Sequence, residues 1–149
     1  MPRHIDMEIN RVILASDHAG FKLKECIKKF LLKKRKKILD LGTKNSKSVD
    51  YPDFAHLLSK KIRSKNNELG ILVCGSGIGM DMAANKHKNI RAALCYDIKS
   101  TKLSRQHNNA NVMTIGARLT KKSVALKCVN TFIKTNFKGG RHLRRINKI

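Results

Sequence analysis

Short apolar runs alternate with longer amphipathic segments along this chain. The apolar runs predict five strands, at residues 8–16, 38–41, 71–74, 91–95 and 111–116. The segments between them predict helices at residues 21–34, from 50–53 onward, around Ala83 and Ala84, and at 98–106 and 120–132. Because strands alternate with helices, we predict an α/β fold with a mainly parallel five-stranded sheet. Helices on both faces make it a doubly wound, Rossmann-like α/β/α sandwich of three layers.

The N-terminal residues and the cysteines indicate the domain organisation and the cellular compartment of the protein. Residues 1–8 are polar, and we expect a flexible N-terminal extension there and a single domain over 9–149. There is no apolar run of membrane-spanning length and no secretory signal pattern. The four cysteines are widely spaced and form no Cys-x-x-Cys pair, which favours reduced thiols in a cytoplasm over a zinc site or disulfides.

The formal net charge of the chain is +23, from 33 Lys and Arg against 10 Asp and Glu. Such a charge is compatible with nucleic-acid binding. The lysines, however, are spread along the whole chain, and aromatic residues do not interleave with them. A solvated basic surface is the simpler interpretation, so neither nucleic acid nor a membrane is an expected partner. The positive field would still steer an anionic metabolite toward its site.

The third predicted strand leads into the most informative turn of the chain. Cys74 stands at the end of the strand, and Gly75, Gly77 and Gly79 occupy every second position after it. A glycine-rich turn between a strand and a helix leaves backbone N–H groups that can hold an anion, or an oxygen that becomes one during a reaction. The spacing differs from the dinucleotide-binding fingerprint. Cys74 has two interpretations, a base that removes a proton beside a carbonyl or a small core residue.

Other polar residues fall at predicted element ends. Asp17 and His18 follow the first strand, and His107 and Asn108 follow the helix at 98–106. Asp17 is equally well interpreted as a cap of the next helix. Open α/β sheets hold ligands at the carboxyl ends of their strands. We therefore expect these groups to converge with the glycine turn on one crevice at that edge.

The basic tail offers a phosphate clamp. Arg141 and Arg145 lie four residues apart, hence on one helical face, and two guanidinium groups side by side suit a phosphate. A base, an anion-binding turn, an imidazole and such a clamp together suit proton abstraction beside the carbonyl of a phosphorylated sugar. A lone histidine is more often structural, so the co-occurrence of these groups carries the hypothesis.

Five separated motifs, in order along the chain, resemble one family of enzymes. They are Ser16-Asp17-His18-Ala19-Gly20-Phe21, Asp50-Tyr51-Pro52, Cys74-Gly75-Ser76-Gly77-Ile78-Gly79 with Ala83-Ala84-Asn85-Lys86, Ser104-Arg105-Gln106-His107-Asn108 with Asn111, and Gly139-Gly140-Arg141-His142 with Arg145. On these residues the chain resembles the type B ribose-5-phosphate isomerases, in the wider group that includes galactose-6-phosphate isomerase subunits. The resemblance covers nearly the whole chain after residue 9.

The resemblance implies reversible aldose–ketose isomerisation of ribose 5-phosphate and ribulose 5-phosphate, a step of the non-oxidative pentose phosphate pathway, without a metal or organic cofactor. It also implies a homodimer or homotetramer whose sites combine residues of two subunits. The implied catalytic residues are Cys74 for proton transfer between C2 and C1, His107 for ring opening, Ser76 for the enediolate and Asp17 for a sugar hydroxyl. The implied substrate-binding residues are His18, Tyr51, Gly75, Gly77, Gly79, Asn108, Arg118, Arg141 and Arg145.

Three alternatives stay open at this point. A hexose-6-phosphate isomerase, of allose or galactose 6-phosphate, would use the same chemistry in a deeper pocket. A basic nucleic-acid-binding domain or a phosphosugar sensor would keep the fold without turnover. Some members of the family use a glutamate just after the glycine turn instead of the cysteine. That position is Met80 here, which indicates the cysteine subtype. If Cys74 proves dispensable, Asp81 is the substitute base.

Overall fold

The computed structural model describes residues 8–149, so residues 1–7 of the predicted extension lie outside the described part. The strands are β1 (Arg11–Ser16), β2 (Ile38–Asp40), β3 (Glu68–Cys74), β4 (Ala92–Leu94) and β5 (Val112–Gly116). The α-helices are α1 (Phe21–Lys33), α2 (Tyr51–Lys61), α3 (Ile78–Ala84), α4 (Ile98–Gln106), α5 (Lys122–Lys134) and α6 (Arg141–Ile146). Within this part of the chain, no helix has the length and apolar character needed to cross a membrane.

All five strands pair in parallel, in the order β2-β1-β3-β5-β4. Successive side chains of a strand point to opposite faces of the sheet, and the buried residues accordingly form two clusters. Val12 and Leu14 of β1 belong to one cluster with apolar residues of α1 and α5. Ile13 and Ala15 belong to the other, with residues of α2 and α3. The three-layer doubly wound sandwich predicted from the alternating pattern is therefore confirmed.

Two details of the prediction are wrong. The third strand is predicted at residues 71–74, whereas β3 already begins at Glu68, which pairs in register with Arg11 of β1 and also binds its side chain. The apolar spacing of residues 21–34 assigns Lys24, like the other lysines of this helix, to its solvated face. It is buried, with 1% of its surface exposed, because its ammonium group lies 2.8 Å from the carboxylate of Asp40 on β2.

The return path of the helices determines which loops meet. β1, β3 and β5 end at the carboxyl edge of the sheet, and α4 and α5 each run back toward the amino edge. Residues 107–111 and the chain after α5 therefore lie at the amino edge, where the Lys138 N–H donates to the Gln106 carbonyl at 3.1 Å. The five residues of β5 span about 16 Å, which separates the two edges.

Candidate active site

A cleft of about 580 Å³ opens at the carboxyl edge of the sheet. It is formed by the loops after β1, β3 and β5 together with the first turn of α2. Its lining includes eight of the predicted site residues. The lining residues are Asp17, His18, Ala19, Tyr51, Cys74, Gly75, Ser76, Ile78, Gly79, Met82, Arg118 and Leu119.

The Cys74 thiol lies under the glycine turn, with only 4% of the residue exposed. The Gly77 N–H donates to its sulfur at 3.1 Å. Gly77 adopts a left-handed φ of +78°, and a Cβ atom there would lie 2.6 Å from Leu94 Cδ1, so only glycine fits without displacement. Ser76 Oγ accepts the Ile78 N–H at 3.2 Å, which leaves the hydroxyl hydrogen of Ser76 free to donate. Two of the turn amides that the sequence assigns to an anion, those of Gly77 and Ile78, therefore donate to Cys74 and Ser76 instead.

Asp17 and His18 are held by backbone groups of their surroundings. The Gly20 N–H donates to Asp17 Oδ1 at 3.0 Å, within the turn that precedes α1. The residue at the N-cap of α1 is Gly20, so the interpretation of Asp17 as the helix cap is wrong. The Val49 N–H donates to His18 Nδ1 at 3.2 Å, which places the proton of a neutral ring on Nε2. His18 thus keeps a donor available to an anionic group in the cleft.

Two side chains lie against glycines of the turn. The ring of Tyr51 packs on Gly79 so closely that a Cβ atom at that position would lie 2.5 Å from Tyr51 Cζ. The guanidinium of Arg118 lies over Gly75, where a Cβ atom would lie 3.2 Å from Nη1. Gly75 and Gly79 therefore make room for side chains that face the cleft, which is a function that the spacing of the glycines alone does not reveal.

Four other predicted site residues form a separate group at the amino edge: His107, Asn108, Arg141 and Arg145. Together with His142, which contacts His107, we call them the basic cluster. The rings of His107 and His142 stack with centroids 4.1 Å apart and an angle of 12° between their planes. Burial, His107 and the nearby cations Arg141, Arg145 and Lys138 lower the pKa of His142 below its ordinary 6.5. The His142 ring is therefore neutral at pH 7.

The expectation that all of these groups converge at the carboxyl edge is wrong within one chain. Among residues 8–149, the lining of the cleft includes neither the histidines nor the arginines of the basic cluster. The physical reason is the direction of α4 and α5, which carry the chain from the carboxyl edge back to the amino edge. In a parallel sheet, residues that follow a strand lie at the carboxyl edge, and residues that follow a connecting helix lie at the amino edge.

Other titratable groups lie apart from the cleft. Burial raises the pKa of the Cys95 thiol to about 11 and also raises the pKa of Cys128, as expected for thiols in the core. Asp81 faces β5, where its Oδ1 accepts a hydrogen bond from the Thr114 hydroxyl at 3.1 Å. Burial raises the pKa of Asp81, but its carboxylate does not line the cleft, so Asp81 is badly placed to substitute for Cys74. In the described part, no group of three or more His, Cys, Asp or Glu side chains is arranged to hold a metal ion.

Sequence reasoning missed the apolar rim of the cleft and the partner of His107. Ile78, Met82 and Leu119 line the cleft, with 46%, 68% and 73% of their surfaces exposed. Large apolar residues beside a glycine turn were a usable signal for this rim. His142 was quoted only as part of a motif, and nothing in the spacing indicated that its ring stacks on His107.

The family model for Ribose/Galactose Isomerase matches residues 12–149. The chain belongs to the ribose/galactose isomerase family. It is 46% identical over 140 residues to a probable ribose-5-phosphate isomerase B of Mycoplasma genitalium, covering 93% of this chain and 92% of that protein. It is also 36% identical over 141 residues to the ribose-5-phosphate isomerase B of Escherichia coli, covering 95% of each chain.

Solved structures of family members have the same fold. The Mycoplasma genitalium ribose-5-phosphate isomerase B with bound ribulose 5-phosphate superimposes with a TM-score of 0.88 at 45% identity, covering 93% of this chain and 92% of that one. A ribose 5-phosphate isomerase of Thermotoga maritima superimposes with a TM-score of 0.89 at 47% identity, covering 93% and 95%. Membership of the isomerase family thus rests on sequence and on the whole architecture.

Proposed function

We propose that this chain interconverts ribose 5-phosphate and ribulose 5-phosphate by reversible aldose–ketose isomerisation through a cis-enediolate. The observation that carries the proposal is the position of Cys74, a buried thiol in a cleft with Asp17 and Ser76, bonded to a turn amide. Family membership and the names of its relatives support the substrate. The reaction is a step of the non-oxidative pentose phosphate pathway.

The proton transfer needs no oxidant or reductant. The Cys74 thiolate removes the proton from C2 of the open-chain aldose, the electron pair forms the C1–C2 double bond, and negative charge develops on O1. The proton of the C2 hydroxyl passes to O1, which moves the negative charge of the enediolate to O2. The thiol then returns its proton to C1 as the C2–O2 bond becomes the ketone, so O1 ends as a hydroxyl group. The Ser76 hydroxyl, whose hydrogen is free, donates to the enediolate oxygen together with amides of the turn at Gly75 and Gly79.

The other roles follow from what each side chain can donate or accept. Asp17 and Asn108 hold sugar hydroxyls, and Tyr51 lines the pocket above Gly79. His18 donates through Nε2 to the phosphate, which is bound by the guanidinium groups of three arginines. The arginines of this phosphate site are Arg118, Arg141 and Arg145. His107 assists the opening of the furanose ring by moving a proton to or from the ring oxygen.

The separation of the two edges leads us to infer that the active unit is a homodimer. A two-fold axis that places the basic cluster of one subunit on the cleft of its partner completes two equivalent sites at once. The exposed apolar rim at Ile78, Met82 and Leu119 is the part of the cleft that a partner would cover. A homotetramer would contain two such pairs.

Mixed dimers test both the proposed roles of Cys74 and His107 and the proposal that each site is shared between two subunits. Cys74→Ala removes the base of the cleft, and His107→Asn removes the ring-opening group of the basic cluster, so each homodimer should be inactive. Random mixing makes about half of the dimers heterodimeric, each with one intact site, which restores about a quarter of the wild-type activity. A matched mixture of Cys74→Ala and Ser76→Ala, both in the cleft, should restore nothing. If the first mixture also stays inactive while heterodimers form, each site lies within one chain.

The substrate is tested on the wild-type protein without added metal. Turnover of ribose 5-phosphate, with allose 6-phosphate and galactose 6-phosphate as comparison substrates, is the expected result. Turnover of a hexose phosphate alone would support the isomerisation chemistry but refute the assignment of ribose 5-phosphate as the substrate.

The unpaired cysteines of the described chain support our inference that the enzyme works in the cytoplasm, which is a reducing compartment.

A further inference from the structure

Arg105 is among the largest fully buried side chains of the described structure. It lies on α4, two residues before His107, and only 2% of its surface is exposed. Burial lowers the pKa of its guanidinium to about 10, so it remains charged at neutral pH. A buried cation is costly unless it is well hydrogen-bonded, so an isolated guanidinium at this depth requires a structural reason.

The guanidinium of Arg105 contacts two segments of the chain, the end of α5 and the turn that follows α4. Its Nε donates to the carbonyl of Thr135 at 3.0 Å, directly after the end of α5. Its Nη1 donates to the carbonyl of Ala110 and lies 3.5 Å from Asn109 Oδ1, in the turn that follows α4. The guanidinium also lies over the ring of Phe132 on α5, 5.6 Å from its centroid. These contacts use the planar geometry of arginine, which presents donors in two directions.

The two segments joined by Arg105 carry the whole basic cluster. His107 and Asn108 lie in the turn between Arg105 itself and the Ala110 carbonyl that it binds. The segment that begins at Thr135 leads directly into α6 with the phosphate arginines. The Lys138 N–H bonded to the Gln106 carbonyl and the stacked ring of His142 join the same two segments at two further points. These contacts join the two segments of the basic cluster into one packed unit, and Arg105 lies at its buried end.

We propose that Arg105 is a positioning residue for the isomerase reaction, one that keeps the ring-opening histidine and the phosphate arginines in a fixed mutual geometry. This inference rests on the proposed function, in which the basic cluster acts on the cleft of the partner subunit. Arg105 touches neither substrate nor the reacting atoms, and acts through the backbone of residues 109–110 and 135. A catalytic group displaced by about 1 Å can lose 100-fold in rate, so loss of this anchor is expected to lower turnover.

The test replaces Arg105 and asks which step limits turnover. Arg105→Lys keeps the charge but cannot donate in both directions, and Arg105→Gln removes the charge. The matched control is Lys102→Gln, on the exposed side of the same helix. Each variant is assayed with ribose 5-phosphate carrying hydrogen or deuterium at C2, and its dimer content and thermal midpoint are measured in parallel.

We expect both Arg105 variants to lose about 10- to 100-fold in kcat/KM. Ring opening, which breaks no C2–H bond, becomes limiting, so the deuterium isotope effect on kcat/KM should fall toward 1. Lys102→Gln should leave both values unchanged. A merely structural role would lower the active fraction and leave the isotope effect at its wild-type value, and that result would overturn the proposal. An inactive wild type would instead refute the proposed function, so the two failures are distinguishable.

Discussion

The imidazole rings of His107 and His142 lie parallel at 4.1 Å, one in the turn after α4 and the other in α6. The contact holds the ring-opening candidate against the helix that carries Arg141 and Arg145, the proposed phosphate-binding arginines. Because burial and three neighbouring cations keep the pKa of His142 below 6.5, its neutral ring adds no further positive charge beside His107. His142 therefore provides a flat, uncharged surface against which the ring of His107 packs, as its proposed role in proton exchange requires.

Replacement of His142 should show whether its stacking surface or its ring nitrogen atoms are required for turnover. His142→Phe keeps a ring of similar area, and we expect kcat within about threefold of wild type, whereas His142→Ala removes the surface and should lower kcat about tenfold. Steady-state kinetics of both variants measure this difference. Equal losses in the two variants would show that a nitrogen atom of His142, and not its stacking, is required.

The lowered pKa of His142 also predicts a dependence of stability on pH. Below pH 6.5 the unfolded chain binds a proton at this position that the folded chain does not bind, so the unfolded state holds more protons. The free energy of unfolding should therefore fall as the pH is lowered from 7 toward 5. The His87 pKa, which burial and His56 lower, acts in the same direction. Urea unfolding of wild type and His142→Asn should show a shallower pH dependence in the variant.

Alkylation should distinguish Cys74 from the core thiols. Burial raises the pKa of Cys95 to about 11 and raises that of Cys128, so these thiols should react slowly with iodoacetamide. In a Cys26→Ser background, which removes the half-buried thiol of α1, inactivation should track modification of Cys74 and be slowed by substrate. Peptide mapping by mass spectrometry measures both. Rapid loss of activity with Cys74 unmodified would contradict the assigned base.

The layers and the cleft could be predicted from the sequence because they depend on local patterns. Apolar spacing identified every strand and helix that the sheet requires, and the turn after Cys74 marked the carboxyl edge. The position of His107 could not be predicted from its local motif, because the motif looks the same at either edge of the sheet. The edge depends on whether the residue follows a strand or a helix. The predicted order of elements contained that information, since His107 follows the helix at 98–106.

The burial of Lys24 could not be predicted because it depends on a long-range partner. Its spacing within α1 is compatible with either side of the helix, and only the arrival of Asp40 on β2 makes the buried position acceptable. The burial of Arg105 is of the same kind, since its partners are backbone carbonyls that no sequence pattern displays. Apolar periodicity assigns a charged side chain to solvent unless its partner is known.

The buried ion pair of Lys24 and Asp40 should contribute to stability. Lys24→Met leaves Asp40 with the more exposed Lys28, 3.1 Å away, so the carboxylate keeps part of its compensation. We expect a loss of about 1–3 kcal/mol in the free energy of unfolding. Lys29→Met, on the exposed side of the same helix, should change it by less than about 0.5 kcal/mol. Urea unfolding of both variants measures the difference, and equal effects would contradict a specific role for the pair.

The contact between Tyr51 and Gly79 predicts coupled effects on substrate binding. A methyl group at position 79 would lie 2.5 Å from Tyr51 Cζ and 2.9 Å from its hydroxyl oxygen, so Gly79→Ala must displace the ring. Because 40% of Tyr51 is exposed, the ring can move out without unfolding the protein, and KM should rise while stability changes little. In a Tyr51→Ala background the same methyl group has no ring to displace, so its effect on KM should shrink. A double-mutant cycle should give a coupling of about 1 kcal/mol or more, and additive effects would show that Gly79 acts on the substrate independently of Tyr51.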